Sequence, residues 1–468
     1  MNARSPAHLR AATSSRRSIA AALLACATHA CGAAPVAGDE SAPSSVRAAT
    51  LTLTRDAEVA VVARAEVTAS VRTATRARLV VRAVDGETRT SAVTPLDDRA
   101  RARLVVFGLA PSATHHAHAE FLDAADAVVE RTAAVDLTTA ALPRDLPRFN
   151  VEVTGPTDGV IVASAGLGYA VSAYAMVIDR AGRVLWYHAM GQPDSHGIAV
   201  VREGPLAISV YERETFGRYD LATGTRRALA PDRAAFLDGH DLATLADGAF
   251  ATIGYEDPRD EYEGGESIFV FRADGTPVAR WRTQIADGMA RGDLHPNSLD
   301  ARDATELLLS YRDVSTLALH DRATGRVRWT LGAAAGGLAL RDDPRGGFRG
   351  QHYARFLDAR TILLFDNGAA EEGSRLVEYA IDENARTARM VWQAPVPRRM
   401  YSSTGGGAQR LPSGNTLGTI TVCERIEGVE MSPPNPGTVV EVDRAGTVRW
   451  QATLAWGAVY QAVWHAAL

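Results

Sequence analysis

The sequence predicts an all-β protein, in which a small N-terminal β-sandwich precedes a six-bladed β-propeller. The first observation is a unit that recurs after residue 147, in which a turn leads into a short strand. Six copies occur, five with a tryptophan in the strand and one, "DLATGTRRALA", without it. Repeats of about 50 residues with several short strands each are typical of propellers. The tryptophans are best explained by packing between neighbouring blades.

The second observation is a hairpin that recurs in the same region and sets the period of the repeat. Its copies begin at His196, His240, His295, His352 and Ala408, so that successive starts lie 44, 55, 57 and 56 residues apart. Apolar residues alternate within the hairpins, and turn signals recur about every 8–12 residues, which excludes a helical repeat. We therefore expect six blades over residues 147–468.

The third observation concerns residues 45–145, which contain β-branched runs separated by turns but lack the tryptophan unit. About 100 residues of short strands suit one β-sandwich, and "GLAPSATHHAHAEFLDA" resembles the corner of fibronectin-type or Ig-like sandwiches. His116 and His118 share one face of a strand and could bind a metal, although a solvated strand face explains them better. The segment "ALPRDLPRF" is a plausible linker to the second domain.

The N-terminus reads as an export signal. Arg10, Arg16 and Arg17 precede a short apolar stretch that ends in small residues. "LLAC" resembles a bacterial lipoprotein box, so we expect cleavage before Cys26 and a lipid on that cysteine. Residues 1–44 would then be signal peptide and disordered linker, and the protein would be periplasmic or membrane-anchored. A twin-arginine signal and an uncleaved tail remain alternatives.

Composition excludes some partners. The chain has 468 residues and a net charge of −5, so no basic surface suggests nucleic acid. Membrane contact is expected only through the N-terminal lipid.

The leading residues of the hairpins are the candidate site. The innermost strand of each propeller blade lines a central channel, so His196, His240, His295 and His352 would converge at its mouth. Four histidines in register favour a functional cluster over four isolated structural residues. Imidazoles bind metals or act as acid, base and nucleophile. No spacing demands a metal here, and we expect neither metal nor other cofactor.

Two arginines follow these hairpins. Arg312 lies in "LLLSYRDVSTLALHDRATG" and Arg375 in "DNGAAEEGSRLVEYAID". A guanidinium fork beside imidazoles suits an anion with several oxygens around one centre.

At these residues the sequence resembles the bacterial arylsulfotransferases that work without the nucleotide sulfate donor. The matching stretches are "GHDLATLADG", "DLHPNSLD", "LLLSYRDVSTLALHDRATGRVRWTLG", "QHYARFLDARTILLFDNG", "SRLVEYAIDENARTARMVWQ" and "QRLPSGNTL". The resemblance implies a six-bladed propeller that moves a sulfuryl group from a phenolic sulfate ester to a phenol through a sulfated histidine. It implies that His240 and His352 are active-site histidines and that Arg375 binds sulfate, so we expect these three to be catalytic. We expect a second set to bind substrate: His196, His295, Asn297 and Arg312.

One departure affects the expected mechanism. The family's nucleophilic histidine should lie shortly before "VVEVD", but "EGVEMSPPNPGTVVEVD" contains no histidine. Another histidine takes the sulfuryl group, or transfer from donor to acceptor is direct, or the protein is a non-catalytic relative. Without the usual nucleophile, we expect activity to be weak or transfer to be direct. The alternative function is a lipid-anchored propeller that binds an anionic ligand or a partner protein. A quinone-cofactor dehydrogenase fits less well, because eight repeats and an adjacent cysteine pair are missing.

Overall fold

The computed structural model describes residues 48–83, 86–167, 173–190, 198–201, 207–212, 215–229, 236–255, 265–286 and 294–468. Throughout these residues the chain is built of β-strands. The helical structure in them is one turn of 3-10 helix at Pro397–Arg399. The predicted all-β class is therefore confirmed.

The first strands of the described chain form two antiparallel sheets. They are β1 (Thr50–Arg55), β2 (Ala63–Thr68), β3 (Arg76–Ala83), β4 (Thr88–Thr90), β5 (Thr94–Pro95), β6 (Arg101–Val106), β7 (Thr114–Leu122), β8 (Val128–Arg131) and β9 (Val135–Thr138). One sheet has the order β1-β2-β6, and the other has the order β4-β3-β7-β8, with β5 on β3 and β9 on β7. In β3, apolar residues alternate with arginines, and Leu79 and Val81 join residues of β2, β6 and β7 in one core.

The remaining strands follow after residue 148. They are β10 (Phe149–Val153), β11 (Val160–Leu167), β12 (Tyr174–Asp179), β13 (Val184–Ala189), β14 (Ile198–Val201), β15 (Ala207–Glu212), β16 (Thr215–Asp220), β17 (Thr225–Ala228), β18 (Phe236–Thr244), β19 (Phe250–Tyr255), β20 (Glu266–Phe271), β21 (Pro277–Arg282), β22 (Pro296–Ala301), β23 (Glu306–Tyr311), β24 (Thr316–Asp321), β25 (Val327–Gly332), β26 (Ala339–Arg341), β27 (His352–Asp358), β28 (Thr361–Asp366), β29 (Arg375–Asp382), β30 (Thr387–Pro395), β31 (Gly407–Arg410), β32 (Thr416–Ile420), β33 (Cys423–Ile426), β34 (Val429–Asn435), β35 (Thr438–Val442), β36 (Val448–Leu454) and β37 (Ala458–His465).

These strands form six successive sheets, here named I to VI. Read from the first strand outward, the orders are β37-β11-β12-β13 for sheet I, β14-β15-β16-β17 for sheet II, β18-β19-β20-β21 for sheet III, β22-β23-β24-β25 for sheet IV, β27-β28-β29-β30-β26 for sheet V and β31-β32-β35-β36-β10 for sheet VI. A separate hairpin, β33-β34, projects from sheet VI. Consecutive strands pair antiparallel because short turns connect them, whereas β26 pairs parallel with β30.

The two ends of this region are held in sheets I and VI. Strand β37, at the C-terminus, pairs with β11 and becomes the first strand of sheet I. Strand β10, before sheet I in sequence, pairs with β36 at the outer edge of sheet VI. Sheets I and VI therefore each join segments that lie about 300 residues apart.

The predicted hairpin starts coincide with the first strands of sheets. His240 lies within β18, His295 precedes β22, His352 begins β27 and Ala408 lies in β31. These strands begin sheets III, IV, V and VI respectively. The hairpin register read from the sequence is thus the register of the structure.

The repeated tryptophans join one sheet to the next. They lie on the fourth strands of sheets I, III, IV, V and VI. The indole N–H of Trp281 donates to Arg322 O, that of Trp392 to Arg444 O and that of Trp450 to Arg180 O. Each acceptor lies in the turn between the third and fourth strands of the following sheet, and sheet VI is followed by sheet I.

The N-terminal sheets contact sheet I. Val59, Val61 and Val62 are buried in the core shared by sheets I, II and VI, and Ala60 N–H donates to the Tyr187 hydroxyl. The predicted domain boundaries at residues 45–145 and 147–468 stay predictions. No helix in the described residues is long and apolar enough to cross a membrane.

Candidate active site

His240 and His295 form a pair at one end of sheets III and IV. Their Nε2 atoms lie 3.3 Å apart, and their rings meet edge to face with centroids 5.1 Å apart. In both sheets the first strand bulges here: the ladder shifts between Leu237 and Leu242 in β18, and between Pro296 and Ser298 in β22. Bulges re-aim side chains, and they are frequent next to active sites.

A carboxylate lies beside each histidine of the pair. Asp238 accepts a hydrogen bond from His240 Nδ1 at 2.6 Å, and Asp313 Oδ2 lies 3.6 Å from His295 Nδ1. Because a carboxylate only accepts, it fixes the proton of His240 on Nδ1 and leaves Nε2 to face His295.

The two histidines have opposite pKa shifts. Burial lowers the pKa of His240, but the charge and the hydrogen bond of Asp238 outweigh it, so the net shift is upward. Burial lowers the pKa of His295, and the charge of His240 lowers it further. The opposite shifts favour the extra proton on His240, whose Nε2–H can then donate to the neutral imidazole of His295.

His295 is the more accessible member of the pair. Its side chain is 36% exposed, against 20% for His240. Its backbone has φ 48°, in the left-handed region that non-glycine residues rarely adopt. Such strained backbone is found preferentially at functional sites.

His352 has a different environment. Its Nδ1 faces two acceptors, Gly350 O at 2.9 Å and Asn367 Oδ1 at 2.8 Å, so Nδ1 carries the proton. Its Nε2 accepts from the Gly405 N–H at 3.1 Å. Burial, with the charges of His240 and Arg312, lowers the pKa of His352 to about 3. This neutral, buried ring anchors the loop at residues 402–406, whose carbonyls at Ser402 and Gly405 also accept from Asn367.

Arg312 faces the pair from the second strand of sheet IV. Its backbone N–H donates to His295 O, and its guanidinium donates to Asp313 Oδ1 at 2.6 Å and Ser403 O at 3.1 Å. Its Nε–H is buried and has no acceptor among the described residues. A buried donor without a partner is costly, and an anion that enters the site could satisfy it.

Strand β37 adds two residues to the site. The Tyr460 ring lies between His240 and His352, with centroids 5.9 and 6.4 Å from theirs. Gln461 donates through Nε2 to His240 O at 3.1 Å. Burial raises the pKa of Tyr460 well above its ordinary value, so its hydroxyl stays protonated.

Beneath the pair, a buried ion pair ties three first strands together. Asp241, next to His240, accepts from Leu299 N in β22 at 2.9 Å and from Arg355 Nη2 in β27 at 2.7 Å. The Arg355 guanidinium also stacks over the Tyr353 ring. The carboxylate therefore holds sheets III, IV and V in fixed register below the histidines.

Arg375 is not part of this group of contacts. Its side chain is fully buried, and its five N–H groups donate to Asp366, Asp343, Gln393 and Gly347 O. No N–H is left for a substrate oxygen. The catalytic role predicted for Arg375 stays a prediction, and these contacts favour a structural one.

Of the remaining predicted residues, Asn297 lies in the described part of the chain. Asn297 is buried and donates to Gln351 O at 2.8 Å, which ties sheet IV to sheet V, while its Oδ1 has no partner among the described residues. His196 and Cys26 lie outside the described residues. Within the described part of the chain, no group of three or more His, Cys, Asp or Glu side chains could hold a metal ion.

Sequence reasoning missed six residues of the site: Asp238, Asp313, Asn367, Gly405, Tyr460 and Gln461. A signal for some of them exists, because the site combines the start of the first strand with the end of the second. Arg312 and Asn367 directly follow β23 and β28, and Tyr255, whose hydroxyl donates to Asp238, ends β19. Tyr460 had no such signal, because the pairing of β37 with β11 is remote in sequence.

Fold and site together define an all-β protein with histidines clustered at one end of successive sheets. Residues 281–432 match the family model described as Arylsulfotransferase (ASST), which confirms the resemblance read from the sequence. The matched region contains His295, Arg312 and His352, whereas His240 precedes it. No curated protein matches the chain.

Solved structures of similar proteins are distant. A protein of unknown function from Bacteroides caccae has a TM-score of 0.45 at 12% identity, covering 65% of this chain and 98% of its own. A second, from Bacteroides thetaiotaomicron VPI-5482, has a TM-score of 0.28 at 12% identity, covering 88% and 99%. The NanB sialidase from Streptococcus pneumoniae has a TM-score of 0.31 at 9% identity, covering 87% and 68%. With TM-scores this low, we take no functional inference from them.

Proposed function

We propose that the protein is an aryl sulfotransferase that moves a sulfuryl group from a phenolic sulfate ester to a phenolic acceptor. The observation that carries the proposal is the match of residues 281–432 to the arylsulfotransferase family, because that region supplies His295, Arg312 and His352. Those residues meet His240 in one cluster whose charges suit the reaction.

The fold behind this function is a β-sandwich followed by a closed six-bladed propeller. Two observations support closure: Trp450 of sheet VI bonds to a turn of sheet I, and β37 and β10 pair across the two ends of the region. The shared core of the two N-terminal sheets supports the sandwich. In a closed ring, the starts of the first strands face one another, which brings residues of sheets I, III, IV and V into one cavity.

Sulfuryl transfer requires positive charge at the sulfonate oxygens and a group that approaches sulfur. The Arg312 guanidinium and the His240 imidazolium supply cationic N–H donors on the two sides of His295. The buried Nε–H of Arg312 is a donor for which the described residues provide no acceptor. Preorganised donors of this kind stabilise the transition state because they need no rearrangement during the reaction.

The phenolic groups need a site that is apolar and closed to bulk water. Tyr460 presents a ring between His240 and His352, and aromatic rings pack favourably against one another. Tyr460 therefore provides one wall against which a phenyl ring can pack. The acceptor and the natural donor are defined here only as phenols and their sulfate esters.

Purified protein with 4-nitrophenyl sulfate tests the proposal. We expect nitrophenol release that depends on an added acceptor phenol, and at least a tenfold loss in Arg312→Ala, since a lost oxyanion contact costs about that much or more. His116→Gln is the matched control, because His116 is an exposed histidine of the N-terminal sheets. Binding of the ester without acceptor-dependent release would instead favour a binding module.

We further propose that the protein is exported and held at a membrane by lipid on Cys26. The support is the N-terminal run of arginines, apolar residues and "LLAC". In bacterial cells, the wild-type protein should fractionate with membranes and a Cys26→Ser variant should not. Equal fractionation of the two would contradict lipidation.

A further inference from the structure

We propose that His295 is the nucleophile that carries the sulfuryl group in the two half-reactions that the family resemblance implies, in place of the direct transfer expected from the sequence alone. The inference rests on the proposed sulfuryl transfer and adds the identity of the nucleophile. It replaces the missing histidine before "VVEVD" with a residue on a different sheet.

A histidine that attacks sulfur needs a free lone pair on a neutral ring that substrate can reach. His240 does not meet this requirement, because Asp238 stabilises its protonated form. His352 is neutral, but its side chain is buried and both nitrogens already bond to Gly350, Asn367 and Gly405. A sulfuryl group on its Nε2 would displace the Gly405 N–H and the loop at residues 402–406.

His295 meets the requirement. Its ring is neutral and 36% exposed, and within the described part of the chain its Nε2 faces the Nε2 of His240. When the Nε2 lone pair of His295 bonds to sulfur, the Nε2–H of His240 can donate its hydrogen bond to a sulfonyl oxygen instead. His240 thus changes from a partner of the nucleophile to a partner of the transferred group without moving far.

The carboxylate of Asp313 fits the product of the attack. Sulfonation of Nε2 with the proton kept on Nδ1 gives the ring a positive charge, and Asp313 Oδ2 lies 3.6 Å from Nδ1. Arg312 is fixed to the same residue through its N–H bond to His295 O. The left-handed backbone at φ 48° sets the direction in which the ring leaves the main chain.

The sulfuryl group moves in two half-reactions, first to His295 and then to the acceptor. The Nε2 lone pair forms an N–S bond while the S–O bond to the donor aryl group breaks, and the phenolate leaves with the electron pair and takes a proton from solvent. The deprotonated oxygen of the acceptor then forms an S–O bond while the N–S bond breaks, and the electron pair returns to Nε2. The acceptor phenol releases one proton to solvent, so one donor ester and one phenol give one phenol and one ester.

The test is a rapid-quench reaction of the full-length protein with 4-nitrophenyl sulfate and no acceptor. We expect a burst of one nitrophenol per chain and a mass increase of one SO3 group, which peptide mapping places on His295. Added phenol should remove the label and form the phenyl sulfate. His116→Gln should behave as the wild type.

Two variants suit the left-handed backbone of residue 295. His295→Gly tolerates φ 48° and leaves a cavity, and His295→Asn tolerates that φ and fills part of it. Both should lose at least about a hundredfold in turnover and the label. Imidazole in solution should restore activity to the glycine variant, with N-sulfoimidazole as an intermediate, and not to the asparagine variant. A merely structural role would not give this rescue.

The outcomes separate the two proposals. Turnover without a label, a label on another residue or a label that persists in His295→Gly would overturn the role of His295 and leave sulfuryl transfer standing. A wild-type protein with no acceptor-dependent release would remove the proposed function, and the role of His295 with it.

Discussion

At the residue scale, the site depends on how differently three histidines are held. Asp238 favours the charged form of His240, His295 is neutral and accessible, and His352 is neutral and enclosed. The sequence shows three equivalent histidines at the starts of hairpins. Asp238 precedes His240 in the same strand, but the partners of the other two histidines come from other strands and loops, so the roles could be assigned only from the structure.

Replacing Asp238 with asparagine should move the alkaline limb of the pH profile to lower pH. Asp238 raises the pKa of His240, so loss of its charge lowers that pKa, and His240 then loses its proton at a lower pH as pH rises. We expect a shift of about one pH unit or more in kcat/KM for 4-nitrophenyl sulfate. Asp136→Asn, which removes the partner of the exposed His116, is the control. An unmoved limb would show that protonated His240 is not required.

His352 should make the fold less stable in acid. Its pKa falls from 6.5 in the unfolded chain to about 3 in the folded protein, so between these values the unfolded chain binds a proton that the folded protein does not. The free energy of unfolding therefore decreases as pH falls through this window, by up to about 1.4 kcal/mol per pH unit. Urea titrations should show a steeper loss for the wild type than for His352→Asn. Parallel losses would contradict the neutral, enclosed state of His352.

At the element scale, the bulges in the first strands determine where the site side chains point. The ladders of β18, β22 and β27 all shift near their histidines. Hairpin starts and strand alternation could be predicted from the sequence, because apolar periodicity encodes them. The bulges could not, because an extra residue reverses the alternation without a fixed sequence signal.

The Asp241–Arg355 pair should be the strongest electrostatic link among these strands. Asp241→Asn leaves Arg355 buried without its charged partner, and breaking a buried pair in this way costs about 3–5 kcal/mol. Asp342→Asn is the matched control, because Asp342 pairs with Arg389 on the surface, where such pairs are worth about 0–1 kcal/mol. Denaturant unfolding measures both. Equal losses in the free energy of unfolding for the two variants would contradict a stabilising role of the buried Asp241–Arg355 ion pair.

At the scale of the whole molecule, the proposed ring depends on the junction of sheets VI and I. The tryptophans could be predicted as contacts between repeats, whereas the pairing of β37 with β11 and of β10 with β36 could not. Those pairings join segments with no local pattern in common. They also explain why Tyr460, near the C-terminus, enters a site otherwise built by sheets III to V.

Trp450 and Trp329 allow this junction to be tested. Trp450→Phe removes a hydrogen bond and leaves Arg180 O without its indole donor, so it should cost about 1–3 kcal/mol beyond the change in packing. Trp329 is a similar buried tryptophan whose indole N–H has no acceptor among the described residues, so Trp329→Phe should be much milder. Thermal unfolding compares the two. If the Trp450 variant is as stable as the Trp329 variant, the hydrogen bond from Trp450 to Arg180 O does not stabilise the junction of sheets VI and I.

The most direct test of the central claim is the product of the reaction rather than its rate. Wild-type protein is incubated with 4-nitrophenyl sulfate and an acceptor phenol, and the nitrophenol, the acceptor sulfate ester and free sulfate are measured together. Sulfuryl transfer predicts nitrophenol and acceptor ester in equal amounts, with little free sulfate. Release of free sulfate in place of the acceptor ester, or no release of nitrophenol at all, would contradict it.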